Sequence, residues 1–158
     1  MKSLIVYDSL YGNTEKVAEA VGSVFGKSGK VLHLDGVNVS DLKDQDLLIV
    51  GSPTHGGMPT PALQAFLKKI PANSLKGVRV AAFDTRFAAE EQGIGLRLLM
   101  KIINFAAPRI AKSLTSKGGI LVADPEGFIV EEKSGPLKKG ELKRAADWAQ
   151  NISKKVNA

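Results

Sequence analysis

The chain has 158 residues, a formal net charge of +6, 44% apolar and 24% charged residues, and no cysteine. That length suits one compact domain, residues 1–158, burying about two-thirds of its unfolded surface, and the composition excludes disordered and fibrous classes. Without cysteine there are no disulfides, thiolate metal sites or cysteine nucleophiles, so redox chemistry would need a bound cofactor.

Residues 1–60 hold 5 basic and 7 acidic groups, whereas residues 61–158 hold 17 and 9. The later lysines are dispersed with no aromatics interleaved, which reads as solvated helix faces and not as a specific nucleic-acid surface; a basic face for an acidic partner is the alternative. Ahead of Asp8 stand one lysine and a short apolar run, too little for a signal peptide, and no apolar stretch approaches membrane-spanning length. A cytoplasmic protein with no membrane span is the expectation.

In chain order, Leu4–Tyr7 is a short apolar run and predicts a strand. Val17, Val21, Val24 and Phe25 then recur at helical spacing, with Glu15, Lys16 and Glu19 on the other side. Between them lies Ser-Leu-Tyr-Gly-Asn-Thr, residues 9–14. A loop of hydroxyls, an amide and one glycine at a helix start suits a phosphomonoester, because the first turn offers unpaired N–H groups and partial positive charge. Gly26 and Gly29 end the helix, Lys30–Leu34 predicts a second strand, and Ser40–Leu42 a capped turn.

Leu47–Val50 is an unbroken apolar run, as in a strand buried on both faces. It leads into Ser-Pro-Thr-His-Gly-Gly-Met-Pro-Thr, residues 52–60, whose prolines and glycines shape the backbone. Pro61 suits the first turn of a helix with stripe Leu63, Phe66, Leu67 and Ile70. Val78–Phe83 predicts a fourth strand, with a third polar loop from Asp84. Leu96, Leu99, Met100 and Ile103, then Ala107, Ile110, Ala111 and Leu114, predict two helices broken near 104–107, ahead of Pro108. Gly119–Ala123 predicts a fifth strand, Asp124–Gly127 a turn, and a final helix from about Lys139 turns Leu142, Ala145, Ala146, Ala149, Ile152 and Val156 inward.

Strands alternating with helices predict an α/β fold, a three-layer, doubly wound, five-stranded parallel sheet. Ligands of such sheets bind beyond the C-terminal strand ends, where the three polar loops converge. Other nucleotide readings fail on spacing. Gly22 to Ser28 is one residue short of a triphosphate loop, no Gly-x-Gly-x-x-Gly follows the first strand, and the third strand ends in Gly51 and Ser52 where a receiver domain needs an acid. His33 and His55 lack clustered carboxylates, so no metal site is expected.

The pattern Ile5, Val6, Tyr7, Ser9, Gly12, Thr14, Ala18 and Val21 resembles the flavodoxin signature. A nearer likeness is to small flavodoxin-like proteins of prokaryotes, through Phe83–Arg86 (Phe-Asp-Thr-Arg) and Gly135–Leu137 (Gly-Pro-Leu). The resemblance implies strand order 2-1-3-4-5, noncovalent flavin mononucleotide (FMN), and electron transfer with redox partner proteins rather than self-sufficient catalysis. It assigns the phosphate to Ser9, Leu10, Tyr11, Gly12, Asn13 and Thr14. Ring contacts fall to Pro53, Thr54, His55, Gly56 and Gly57 and to Asp84, Thr85, Arg86 and Phe87. Flavodoxins are typically acidic, so this basic chain departs from the usual partners, and fewer anions would oppose flavin reduction. The alternatives are an FMN-dependent quinone or porphyrin-precursor oxidoreductase, with Gly93–Phe105 as an amphipathic lid, or a flavodoxin-fold binding module without flavin. For that segment, core packing or a homodimer contact is the competing role.

Overall fold

The computed structural model describes residues 1–87 and 105–158. At its centre β1 (Ser3–Tyr7), β3 (Leu47–Pro53) and β4 (Arg79–Phe87) lie side by side, with β2 (Gly29–His33) outside β1 and β5 (Ile120–Leu121) outside β4. The order is 2-1-3-4-5 and every pairing is parallel, as the resemblance implied. A sixth strand, β6 (Glu126–Val130), continues the fifth position along the same side of β4.

The period-two alternation of the strands sorts their side chains to two faces. Leu4, Val6, Leu48, Val50, Val80 and Ala82 pack under α2 (Pro61–Lys69) and α3 (Ala106–Ser116). Ile5, Tyr7, Leu47, Ile49, Ala81 and Phe83 pack under α1 (Asn13–Ser23) and α4 (Glu141–Val156). The three layers and the two-sided apolar run of β3 follow directly, since both faces of a covered parallel strand must be apolar. Fully burying one such leucine or isoleucine stabilises the fold by about 1.5–3 kcal/mol. At the far end of the sheet Phe83, Phe128 and Trp148 meet edge to face at 6.0–6.2 Å. Gly51 is needed opposite Phe83, because a Cβ there would lie 2.1 Å from the ring.

Helix starts follow the sequence signals. Thr60 caps α2 by accepting the Leu63 N–H at 3.3 Å, and Pro61 takes the first position. Pro108 falls in the first turn of α3, where a missing N–H breaks no helical bond, so the expected break is a helix start at Ala106. The helix expected over Gly93–Phe105 lies, apart from Phe105, outside the described residues.

Four expectations need correction. Asp84–Phe87 is not a loop but the end of β4, because β6 supplies partners for it: Phe83 pairs with Glu126 and Phe87 with Val130. Glu126 and Gly127 accordingly belong to a strand and not to a turn. The expected strand over 119–123 shrinks to two residues, and Pro125, with no N–H to give, stands between β5 and β6. Leu142 is 44% exposed, since the buried face of α4 runs through Glu141, Ala145, Ala149, Ile152 and Val156, about 100° away.

Candidate functional site

The first loop leaves β1 at Asp8, whose carboxylate ties three elements together. It accepts the Ser9 N–H at 2.9 Å, lies 3.2 Å from His33 Nε2 at the end of β2, and accepts the hydroxyl of Thr60 at the start of α2. Ser9 Oγ accepts the Gly12 N–H at 2.9 Å, closing the loop on itself. Gly12 has φ +92° and gives α1 no side-chain cap. The amides of Asn13, Thr14 and Glu15 therefore enter the helix with no intrahelical acceptor and no cap from the residue before them. Asn13 and Thr14 are both buried.

Thr14 Oγ1 and Thr85 Oγ1 stand 2.9 Å apart. Whichever hydroxyl donates, the other keeps a hydrogen with no protein acceptor among the described residues. Both side chains line the same cavity, so that hydrogen is available to a ligand oxygen.

The second loop is a two-residue hairpin. His55 and Met58 exchange N–H···O bonds of 2.9 and 3.1 Å around Gly56 and Gly57, at φ +58° and +79°. Positive φ at both central positions is the turn geometry glycine supplies without strain. Arg109 on α3 pins the turn by donating to the Gly57 carbonyl at 3.1 Å, and the Thr54 N–H joins it to β4 through the Thr85 carbonyl at 2.9 Å.

The third contribution is the end of β4. Asp84, fully buried, accepts two bonds of 2.7 Å from Arg86 and the Ala107 N–H at 2.9 Å, while Thr54 Oγ1 accepts the Ala106 N–H at 3.1 Å. The start of α3 is thus capped from other elements, Phe105 offering no side-chain cap. Burial pushes the Asp84 carboxyl up, against the pull of Arg86 and the Ala107 amide. The Arg86 guanidinium lies 3.7 Å from the centre of the Phe105 ring, and it passes over Gly127, where a Cβ would come within 2.1 Å of Nε.

These three parts enclose a cavity of about 460 Å³, inside the ~300–1,000 Å³ range of small-molecule sites. Of the residues assigned from sequence, Ser9, Leu10, Tyr11, Asn13, Thr14, Pro53, Thr54, His55, Gly56, Gly57, Thr85, Arg86 and Phe87 line it. Gly12 shapes the loop behind the wall. Asp84 is withdrawn beneath it and acts through Arg86. Three further lining residues, Phe105, Val130 and Lys133, escaped sequence reasoning. Phe105 sat at the end of the segment Gly93–Phe105, expected as an amphipathic lid or a packing helix with Leu96, Leu99, Met100 and Ile103 as its working residues, and the only pointer to Lys133 was the Gly-Pro-Leu that follows it.

The architecture can hold an anion at the α1 start and a flat, largely apolar group between the hairpin, Phe87, Phe105 and Tyr11. The chain is 26% identical over 160 residues to a flavodoxin of Clostridium saccharobutylicum, covering 99% of this chain and 98% of that one. It is 27% identical over 162 residues to a flavodoxin of Aquifex aeolicus, covering 93% and 86%. Among solved structures, a flavodoxin from the domain Archaea superposes with a TM-score of 0.74 at 22% identity over the full length of both chains. Flavodoxin 2 of Bacillus cereus gives 0.75 at 20%, over 98% and 99%. Residues 4–117 match the flavodoxin domain model, and the chain belongs to that family.

Proposed function

We propose that this chain is a cytoplasmic electron-transfer protein that binds one FMN in the cavity at the C-terminal ends of β1, β3 and β4. The supporting observation is the pairing of two unlike surfaces in one cavity. At one end are the uncapped first-turn amides of α1 and the spare hydroxyl hydrogen of the Thr14–Thr85 pair. At the other are Tyr11, His55, Phe87 and Phe105. A phosphomonoester fits the first and a planar heterocycle the second.

Each residue then has a task. Ser9, Asn13 and Thr14, with the loop amides, receive the phosphate; Thr54, Gly56 and Gly57 face the ring with backbone and hydroxyl groups; Tyr11 and Phe87, 51% and 37% exposed, flank it at the cavity mouth. The bound flavin supplies the redox chemistry, taking up and passing on electrons at its ring. The chain holds the ring at the surface, screens part of it from water and sets the charge around it. No helix among the described residues is long and apolar enough to cross a membrane. The partners we propose are other redox proteins that meet the ring at this mouth.

The test is reconstitution. Apoprotein titrated with FMN should quench flavin fluorescence with one site per chain, and the complex should be reduced by a reductase and reoxidised by a second protein. Absence of quenching at micromolar FMN refutes the cofactor. Rapid turnover of NADPH and quinone with no partner present refutes the carrier role.

A further inference from the structure

Phosphate binding by a glycine and hydroxyl loop needs no cation, yet a hairpin from the far side of the fold brings one here. After β6 the chain reverses over residues 131–136. The Glu131 N–H donates to the Pro136 carbonyl at 2.9 Å, the Lys138 N–H to the Ile129 carbonyl at 2.8 Å, and Val130 bridges Leu137. At its tip the Gly135 N–H donates to the Glu132 carbonyl at 3.0 Å, which places Lys133 at the second position of a four-residue turn.

The tip is seated against the start of α1. Gly135 has φ +104°, and a Cβ on it would lie 2.7 Å from Asn13 Oδ1, so its backbone rests on the first residue of the helix. Lys133 is two residues away, within about 7.6 Å of Gly135 along the chain. It lines the same cavity as Ser9, Asn13 and Thr14. Its neighbours Glu131 and Glu132 are exposed, as is Lys133 itself, and neither glutamate lines the cavity. The seated backbone keeps this cavity-lining lysine near the end where the helix start already favours an anion.

We propose that Lys133 pairs with the ligand's phosphomonoester and makes this site select phosphorylated over unphosphorylated flavin. The assignment rests on the FMN reading above and adds a charged, salt-sensitive contact to a loop that otherwise binds through neutral donors. An ammonium on a dianion near solvent is worth about fivefold in affinity at low salt, and that advantage shrinks as ions screen it.

The experiment titrates wild type, Lys133→Ala and Lys133→Arg with FMN and with riboflavin, at about 0.05 M and about 0.5 M salt. Circular dichroism checks that each variant is folded. Lys133→Ala should lose about fivefold for FMN at low salt and less at high salt, with riboflavin unmoved, while Lys133→Arg stays near wild type. Equal losses for both flavins, an FMN loss indifferent to salt, or a Lys133→Ala protein that binds FMN like wild type overturns the assignment and leaves the FMN reading standing. A wild type that binds neither flavin overturns both.

Discussion

Asp84→Ala should be the most damaging single change on the site side of the sheet. Asp84 is fully buried, takes both arms of the Arg86 fork at 2.7 Å and caps the Ala107 N–H at 2.9 Å. Removing it leaves a guanidinium, 20% exposed at its side chain, without its counter-charge. Breaking a buried pair from one side costs about 3–5 kcal/mol, and loss of a helix cap adds about 1 kcal/mol. Together that is about 4–6 kcal/mol, against a total of about 5–15 kcal/mol for an ordinary domain. At about 2–4 °C per kcal/mol for a chain of this size, the melting temperature should fall by about 10–20 °C. Urea unfolding of the apoprotein measures this without involving flavin. The paired variant Asp84→Ala with Arg86→Leu removes both charges and should recover part of the loss, since the stranded cation causes most of the damage. A single variant losing under about 1 kcal/mol, or a double variant less stable than the single, would refute the claim that the fork is a mutually dependent buried pair.

Two other outcomes follow from the same geometry. Thr14→Val keeps the shape of a fully buried side chain and removes its hydroxyl; FMN affinity should drop by about 10- to 100-fold, the worth of a hydrogen bond to a charged group, with riboflavin nearly unaffected, and equal losses for the two flavins in fluorescence titration would count against a phosphate role. Glu141 accepts two bonds from Arg144, at 2.8 and 2.7 Å, and the Ile129 N–H at 2.6 Å. Burial opposes its ionisation, but Arg144 and that amide hold its carboxyl below the ordinary 4.5. The stability it contributes is therefore complete above about pH 4.5 and is lost as pH falls through the lower folded value. Asp84, shifted upward, acts in the opposite sense and loses its contribution as pH rises. Comparing urea midpoints of wild type and Glu141→Gln from pH 7 to 3 isolates the glutamate: the wild type should fall more steeply below about pH 4.5, and parallel curves would contradict the assignment.

What could be read in the residues depended on how local its cause was. The 9–14 loop was legible because its hydroxyls, its glycine and the helix start are contiguous; at 52–60 the prolines and glycines marked a shaped loop, while the hairpin at Gly56 and Gly57 showed only in the structure. The β3 run announced a central strand through its two-sided burial. Asp84 was legible as polar and near the site but not as buried, because the Ala107 amide comes to it from the start of α3 and Gly127 from β6, neither of them local in sequence. Phe105 and Lys133 reach the cavity through tertiary placement; the Gly93–Phe105 lid reading and the Gly135–Leu137 motif pointed to their neighbourhoods and to neither side chain. Leu142 misled because an apolar residue in the first turn of an amphipathic helix can fall on the wrong side of the stripe.

The interrupted fifth position bears on how the molecule behaves among its own copies. An outer strand offers unpaired N–H and C=O groups on which another chain can add, a route to aggregation that long, flat, apolar edges invite. Here the outer edge beyond β4 is two residues, a gap containing Asp124 and Pro125, then five residues ending beneath a reversed hairpin. Ile120 and Leu121 are apolar and exposed there, the kind of surface that would be hazardous on a continuous strand. Among the described residues, Pro125 breaks the row of donors between β5 and β6, which shortens the stretch on which another chain could add beside Ile120 and Leu121.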